Sequence, residues 1–361
     1  MKPFGTVGLA VTSFDSAGDG VAYVGRLLRS ALGELAHELV VVELGLSSLR
    51  PHSLVRRGTF ASRLVRAQVA RSPDWWLYSH ADLARAHYAI PRRMRPPYAV
   101  FTHGPETWLP LLDRKRIHVL RNAAVRCANS RHTARRSVVA HPEIGVVEVC
   151  QLALIEPAAG PCDDALLERL GTGYALIVAR MSAVERWKGH DELLDAWTTL
   201  SERVPGARLV VVGGGDDAGR LRVRAAALGL TDDVVFTGVV SDRTLAAIRQ
   251  RAALFVMPST NEGFGLVYLE AMAAGLPCIG TTADAAAEII VDEQTGILVP
   301  PGDPDALLDA LASLLLDPAE AARLGAAGRA RAERDYSYAR FRGRLQTALS
   351  PLATYPWRVP A

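Results

Sequence analysis

The 361-residue chain alternates short apolar runs with amphipathic helical stretches from one end to the other, and this alternation restricts its fold more than any other feature. In the first half the runs are Thr6–Thr12, Leu39–Leu44, Trp75–Ser79, Tyr98–Thr102, Val125–Asn129 and Val146–Cys150. In the second half they are Tyr174–Ala179, Leu209–Gly213, Val234–Thr237, Leu254–Met257, Pro277–Gly280 and Ile297–Val299. Most are continuously apolar, as strands are when a sheet is covered on both faces. Strand–helix–strand repetition of this kind builds a parallel, doubly wound sheet. It occurs twice, and the length exceeds what one hydrophobic core organises comfortably, so the expected fold is α/β with two Rossmann-like domains. The Pro- and Gly-bearing segment Glu156–Asp163 reads as the linker. That gives domains 1–157 and 158–335, with a last helix, Tyr336–Leu352 within 336–361, expected to pack back on the first. Ligands of open α/β sheets sit beyond the carboxyl ends of the strands. The two domains are therefore expected to face a central cleft, with the functional residues placed just after strands.

Composition narrows the function classes. Apolar residues make up 49% and charged residues 22%, which excludes a disordered chain. No run of about 18 apolar residues occurs, so no membrane-spanning helix is expected. The N-terminus, MKPFGTVGLAVTSF, reads as a first strand and lacks the apolar stretch and cleavage site of a signal peptide. Cys127, Cys150, Cys162 and Cys278 are scattered without a CxxC pair, so free thiols in a reduced cytoplasm are expected, with no zinc site and no disulfide framework. The formal net charge is +3, but residues 1–160 hold 21 Lys/Arg against 12 Asp/Glu, so the first half is basic and the second mildly acidic. No nucleic-acid motif accompanies the basic half, and no nucleic-acid partner is expected. Residues 50–71 hold Arg50, Arg56, Arg57, Arg63, Arg66 and Arg71 and no acid, and Phe60, Leu64, Val65 and Val69 can share one helical face. Two readings stand: an interfacial helix on an anionic membrane, or a solvated helix packed on its own sheet.

Chemistry concentrates after the strands. In Met257-Pro-Ser-Thr-Asn-Glu-Gly-Phe-Gly-Leu-Val-Tyr-Leu-Glu-Ala-Met-Ala-Ala-Gly-Leu-Pro277 a strand ends and a helix begins near Gly265 and stops at Gly275. Gly263 and Gly265 permit close backbone approach, and free N–H groups at a helix start suit a diphosphate. Glu262 precedes the helix and Glu270 lies about one and a half turns inside it. One carboxylate can accept from sugar hydroxyls and the other can grip a ribose diol; the plain alternative is a loop glutamate and a solvated helix glutamate. In Ile177-Val-Ala-Arg-Met-Ser-Ala-Val-Glu-Arg-Trp-Lys-Gly-His-Asp191, Arg180 follows a strand and Lys188 precedes a helix starting near Gly189. Two cations there would neutralise a diphosphate leaving group, while Arg186 reads as solvated. Leu209-Val-Val-Val-Gly-Gly-Gly-Asp-Asp217 is a glycine-rich turn after a strand, a weak signal alone, with Gly213 letting a nucleotide lie flat. In Tyr98-Ala-Val-Phe-Thr-His-Gly-Pro-Glu-Thr-Trp108, His103 and Gly104 fall at a strand end, Glu106 and Trp108 are candidates for an acceptor pocket, and His80 is a second strand-end histidine. No Asp-x-Asp triplet suited to a metal-bound diphosphate appears near a strand end. Asp216-Asp217 and Asp163-Asp164 read as helix caps, and no Ser-His-Asp arrangement is seen.

Glu262 and Glu270, separated by seven residues in an EGFGLxxLEAMAxGLP context, resemble the retaining glycosyltransferase family 4, strongly over about residues 174–335 and more weakly over 1–155. The resemblance implies the GT-B fold and transfer of a hexose, with retention, from a UDP- or GDP-sugar to a hydroxyl acceptor that is a sugar, a lipid-linked molecule or a small molecule. It implies no cofactor, the nucleotide-sugar being a co-substrate. By resemblance, Glu262 binds donor-sugar hydroxyls, Glu270 the ribose, and the backbone of Gly263, Phe264, Gly265 and Leu266 meets sugar and phosphates. Val239 falls where the family receives the base, Gly20 where it approaches the diphosphate, and His103 where a histidine contacts the donor sugar. Two departures stand out: Gly18-Asp19-Gly20 replaces a Gly-Gly pair, and seven residues separate Arg180 from Lys188 where the family has them closer. Retention by attack on the face the diphosphate leaves makes His103 a positioning group and not a general base. The rival readings are an epimerase of the same fold and a non-catalytic nucleotide-sugar-binding subunit. The chain is expected in the cytoplasm, peripheral to the inner membrane face if the arginine-rich helix binds lipid.

Overall fold

The computed structural model describes residues 2–14, 20–45, 54–108, 113–155 and 160–355. The chain packs as two compact units, Met1–Ala153 with Tyr338–Ala361, and Leu154–Ser337.

The first unit runs β1 (Phe4–Val11), α1 (Gly20–Leu35), β2 (Ala36–Glu43), α2 (Leu54–Arg71), β3 (Trp75–Tyr78), α3 (Ala81–Ala84), β4 (Tyr98–Thr102), α4 (Arg114–Asn122), β5 (Val125–Ala128), α5 (Arg131–Ala140) and β6 (Glu148–Val149). The strands form one parallel sheet in the order β2-β1-β3-β4-β5-β6. Its central strands β3 and β4 are buried at every position, which is why their sequences are apolar but for the terminal Thr102. The two edge strands are where the sequence-based bounds miss most. β2 starts at Ala36, directly after α1, because an edge strand tolerates the polar His37 and Glu38. β6 keeps only two of the five residues expected of it.

The second unit runs α6 (Asp164–Leu170), β7 (Tyr174–Val178), α7 (His190–Arg203), β8 (Leu209–Val212), α8 (Ala218–Ala227), β9 (Val234–Gly238), α9 (Asp242–Arg251), β10 (Ala252–Val256), α10 (Leu266–Ala273), β11 (Cys278–Thr281), α11 (Ala286–Ile289), β12 (Gly296–Val299), α12 (Pro304–Leu316) and α13 (Pro318–Asp335). Its parallel sheet has the order β12-β11-β10-β7-β8-β9. Successive strands run outward from β7 to β9, and the chain then crosses back to place β10 against the other side of β7. The connections leaving β7 and β10 therefore diverge to opposite faces, and the crevice between them is the position where such sheets bind ligands. The helices pack closely enough to require glycine: a Cβ on Gly325 of α13 would lie 2.0 Å from the Gly275 carbonyl oxygen at the end of α10.

After α13 the chain continues into α14 (Tyr338–Ala353), which packs on the first unit. Tyr338 and Arg342 both bind the Glu34 carboxylate, and Arg344 donates to the Gln151 carbonyl at 3.2 Å. Of the linker segment, residues 156–159 lie outside the described residues, as do Gly18 and Asp19 of the first loop. Asp163 caps α6 by accepting from the Leu166 N–H at 3.0 Å. All four cysteines are free thiols; Cys127, Cys150 and Cys278 are buried and Cys162 is half-buried.

Of the two readings of the arginine-rich helix, the packing of its apolar residues matches the sheet-packed one. Phe60 and Leu64 are 4% and 0% exposed in the core of the first unit, with Val65 packed against the same cluster. Gln68, one turn beyond Leu64, also points inward and accepts the Trp76 indole N–H at 2.7 Å. The apolar stripe of α2 is thus a sheet-facing stripe, as on any amphipathic helix of a covered sheet. The outward side carries Arg56, Arg57, Arg63, Arg66 and Arg71, with Val69 the one large apolar residue of that helix exposed among those described. Among the described residues no helix is long and apolar enough to cross a membrane. Removing the Phe60 ring by Phe60→Ala is expected to cost about 3 kcal/mol of stability, read from the urea midpoint. A cost within about 0.5 kcal/mol, the ordinary surface value, would place Phe60 outside the core.

Candidate functional site

A gathering of charged side chains in the second unit lies at the β7/β10 crossover. Arg180 and Lys188 leave β7, and Glu262 leaves β10. The two loops are tied by Thr260 N–H donating to the Trp187 carbonyl at 3.0 Å. Gly189, at φ +86°, sits so close to Pro258 that a Cβ would lie 2.5 Å from the proline ring. This contact lets Lys188 reach Glu262, and the two form a salt bridge with both side chains largely covered. Burial pulls the Lys188 ammonium towards neutrality, but the charge and hydrogen bond of Glu262 outweigh it, so the net shift is upward and the lysine stays charged. Both flanking helices, α7 and α10, begin at a left-handed glycine, Gly189 and Gly265, with no side-chain cap. No cap side chain satisfies the first N–H groups of either helix, though Tyr268 N–H turns back to the Gly265 carbonyl at 3.1 Å.

Arg180 is held by Glu185 through Nε at 2.8 Å and through Nη2. Arg186 is exposed, as expected, and also makes a two-pronged contact with Asp217, 3.1 Å for each nitrogen. Asp217 also binds Arg220, and these hydrogen bonds, Arg220 first, hold its pKa down to about 2. Its carboxylate makes no cap bond to α8, which corrects the reading of Asp216-Asp217 as a cap. The glycine turn after β8 has its own explanation: a Cβ on Gly213 or Gly215 would lie 2.1 Å from the Ala179 or 1.9 Å from the Met181 carbonyl oxygen. Those glycines seat the Arg180 loop. Val239 is 78% exposed beside this turn, 3.0 Å from where a Gly214 Cβ would stand.

Glu270, on α10, pairs with Arg249 on α9, a partner the sequence reading missed. Burial raises the Glu270 pKa, and the guanidinium opposes the shift. Asp284 was also missed. It lies after β11 and accepts three hydrogen bonds: from Glu262 N–H at 2.9 Å, Ser259 Oγ at 2.8 Å and Ala286 N–H at 2.9 Å. It fixes the backbone from which Glu262 projects. The Phe264 side chain is buried against Tyr336, with Gly263 and Gly265 buried beside it and Leu266 half-buried. Asp303-Pro304-Asp305 is a triplet overlooked after β12, and Asp303 caps α12 through the Ala306 N–H at 2.9 Å.

In the first unit His103 follows β4. Its Nε2 donates to the Ser79 carbonyl at 2.5 Å, which leaves Nδ1 as the other ring nitrogen for a ligand. Its backbone N–H goes to the Glu106 carboxylate, and its carbonyl accepts from Asn129 Nδ2 at 2.7 Å. His80 stacks on it, ring centroids 5.8 Å apart, and burial lowers the His80 pKa to about 4, which keeps it neutral. Trp108 is buried, its ring against His132 and under the Arg136 guanidinium. Gly20 is exposed at the first position of α1.

The family model described as Glycosyl transferases group 1 matches residues 168–331. A GDP-mannose-dependent alpha-(1-6)-phosphatidylinositol monomannoside mannosyltransferase of Mycolicibacterium smegmatis is 34% identical over 285 residues, 75% of this chain and 75% of that protein. Among solved structures, a sucrose-phosphate synthase of Thermosynechococcus elongatus matches with a TM-score of 0.77 at 21% identity, over 95% of this chain and 97% of that one. Anabaena HepE, solved with UDP and glucose, matches with a TM-score of 0.71 at 20% identity, over 95% and 99%. Both are GT-B structures, and the likeness gives this chain the same fold.

Asp284 yields a pH signature. Burial pushes its pKa up to about 6 from an ordinary 3.8, against the three hydrogen bonds it accepts. A raised carboxylate contributes stability that is complete below pH 4 and is lost as pH rises through 6. Relative to Asp284→Asn, which cannot ionise, the wild type is expected to lose on the order of 2–3 kcal/mol between pH 4 and 7. Urea midpoints of both proteins across that range check it, and parallel curves would show that Asp284 does not titrate there.

Proposed function

We infer that the chain, which belongs to the group 1 glycosyl transferases and is a glycosyltransferase of the GT-B type, transfers mannose from GDP-mannose to a hydroxyl of a lipid-linked acceptor, with retention and without a metal ion. The observation that carries this reading is the joining of Lys188 to Glu262, with Arg180 on the same loop, at the β7/β10 crossover. A diphosphate brought there meets two cations and the N-termini of α7 and α10, a concentration of positive charge suited to an anionic leaving group. The choice of donor and acceptor class rests on the M. smegmatis relative, whose name specifies GDP-mannose and a phosphatidylinositol mannoside. The outward arginines of α2 suit a lipid-borne acceptor through an attraction that salt screens.

In the proposed reaction the bond from the anomeric carbon to the β-phosphate oxygen breaks, and a bond from that carbon to the acceptor oxygen forms on the same face. The acceptor proton passes to the departing phosphate oxygen, and GDP leaves. Arg180 and Lys188 stabilise the charge that grows on the diphosphate. Glu262 exchanges its pairing with Lys188 for sugar hydroxyls, and Glu270 accepts from the ribose diol. His103 offers Nδ1 to a hydroxyl of the sugar and serves as a positioning group.

Arg180→Ala and Lys188→Ala are each expected to lower kcat about 100-fold, the usual cost of one charge-stabilising donor. Steady-state transfer from GDP-mannose measures it, and near-normal rates in both would remove these residues from the reaction. An epimer formed from donor alone would point to the epimerase reading, and absence of donor hydrolysis to a binding subunit.

Transfer is expected to persist in EDTA and to give a product with the donor's α configuration. His103→Ala is expected to lower kcat far more than GDP affinity, because Arg180, Lys188 and Glu270 still hold the nucleotide. Product NMR and calorimetry read these out. An inverted product, a chelator-sensitive rate restored by Mg²⁺, or wild-type turnover in His103→Ala would each overturn the part of the mechanism it addresses.

A further inference from the structure

Arg249 is, among the described residues, the one lysine or arginine that is buried. It stands in the last turn of α9, and its Nη2 donates to Oε2 of Glu270 on α10. Its side chain is 10% exposed and that of Glu270 28%, so the arginine is enclosed while the glutamate stays within reach of a ligand. The Arg249 Nε is buried and has no hydrogen-bond partner among the described residues. An enclosed ion pair is a poor source of stability, because well-packed apolar residues in its place often serve as well or better. A buried nitrogen without an acceptor adds to the cost. Stability therefore does not account for an arginine at this position, and its contact with Glu270 does.

Burial pulls Glu270 towards the neutral acid, and the charge of Asp242 at the start of α9 adds to that pull. Arg249 opposes both, by its charge and by its hydrogen bond. A guanidinium keeps its proton when enclosed, so this compensation is permanent. The outcome decides what Glu270 can bind. A ribose diol presents two O–H donors. A carboxylate offers about four acceptor sites on two oxygens, whereas the neutral acid gives one of them to its own proton. Arg249 takes a site on Oε2, and Oε1 lies outside that contact. A hydrogen bond to a charged acceptor is roughly twice as strong as one to a neutral group. Keeping the charge thus outweighs the one acceptor site given to the arginine.

We propose that Arg249 is a positioning residue that holds the Glu270 carboxylate by Oε2 and turns Oε1 to the ribose diol of the donor, so that the site selects ribonucleotides over 2′-deoxyribonucleotides. The role rests on the donor reading above, in which Glu270 meets the ribose.

Calorimetric titration of the full chain with GDP and with 2′-deoxy-GDP tests this. The wild type is expected to favour GDP about tenfold, the worth of one hydrogen bond to a charged group. Arg249→Met, which keeps an apolar stem, is expected to weaken GDP about tenfold and leave 2′-deoxy-GDP within about twofold, so that the preference disappears. Arg249→Gln, a second neutral variant of similar reach, is expected to behave alike. In a Glu270→Gln background, Arg249→Met is expected to change the preference no further. Equal losses for the two nucleotides would make Arg249 a structural brace, tighter GDP binding would make it a competitor for Glu270, and an unchanged preference would remove it from ribose recognition; each overturns the proposal. If the wild type shows the preference and Glu270→Gln abolishes it, failure of the Arg249 variants falls on this role alone. A wild-type chain that binds neither GDP nor UDP, or binds both no better than their 2′-deoxy forms, would overturn the ribose assignment of Glu270 and this role with it.

Discussion

Everything in the second unit that resembles a binding site depends on one topological reversal. β7 and β10 are neighbours in the sheet, yet the chain leaves them in opposite directions, so their loops cannot close over each other. Into that gap the sequence sends glycines where backbones must touch and charged residues where they must not. Gly189 against Pro258 and Gly213 against Ala179 are both contacts that a single Cβ would break. With those contacts made, Lys188 and Glu262, 74 positions apart in sequence, become hydrogen-bonding partners.

Among the described residues, three cations of the candidate site are paired with carboxylates: Arg180 with Glu185, Lys188 with Glu262, and Arg249 with Glu270. Covered charges need partners, since an unpaired one would bear the full cost of leaving water. Lys188 shows the balance directly, with burial pulling it towards neutrality and Glu262 more than restoring it. The pairs differ in exposure, and that sets how each can respond to an incoming anion. Lys188 and Glu262 are both mostly covered, so a ligand must replace one partner by another. Arg180 is mostly open, and its partner Glu185 is largely covered.

The strand pattern, the two-domain organisation and the residue types at the strand ends were legible in the sequence, because periodicity and glycine placement are local signals. Lys188 and Glu262 were each legible by position, but their pairing was not. Asp284, Arg249 and Asn129 escaped for the same reason: each acts on a residue more than 20 positions away, and nothing in a local window marks a carboxylate that will accept three backbone and hydroxyl donors. Phe60 and Leu64 show a different limit. Their spacing marks an apolar stripe, but a stripe records only that one face leaves water; it left a sheet and a bilayer both open, and the sheet covers it. Asp217 read as a helix cap because it stands at a helix start, yet two arginines claim both its oxygens.

The protonation states at the two candidate sites bear on the kind of chemistry proposed. A general base works best with a pKa near the operating pH. Lys188 is shifted upward by Glu262, away from neutrality. His80, beside His103, is held neutral by burial at a pKa of about 4. Asp284, shifted to about 6, already accepts three hydrogen bonds and supports a loop. His103 spends its Nε2 proton on Ser79 and its carbonyl on Asn129, contacts that fix the ring's place. Residues arranged in this way orient and compensate charge better than they shuttle protons. That fits a transfer in which the departing phosphate oxygen itself receives the acceptor's proton, and the protein's part is to hold a diphosphate, a sugar and their developing charges in fixed register.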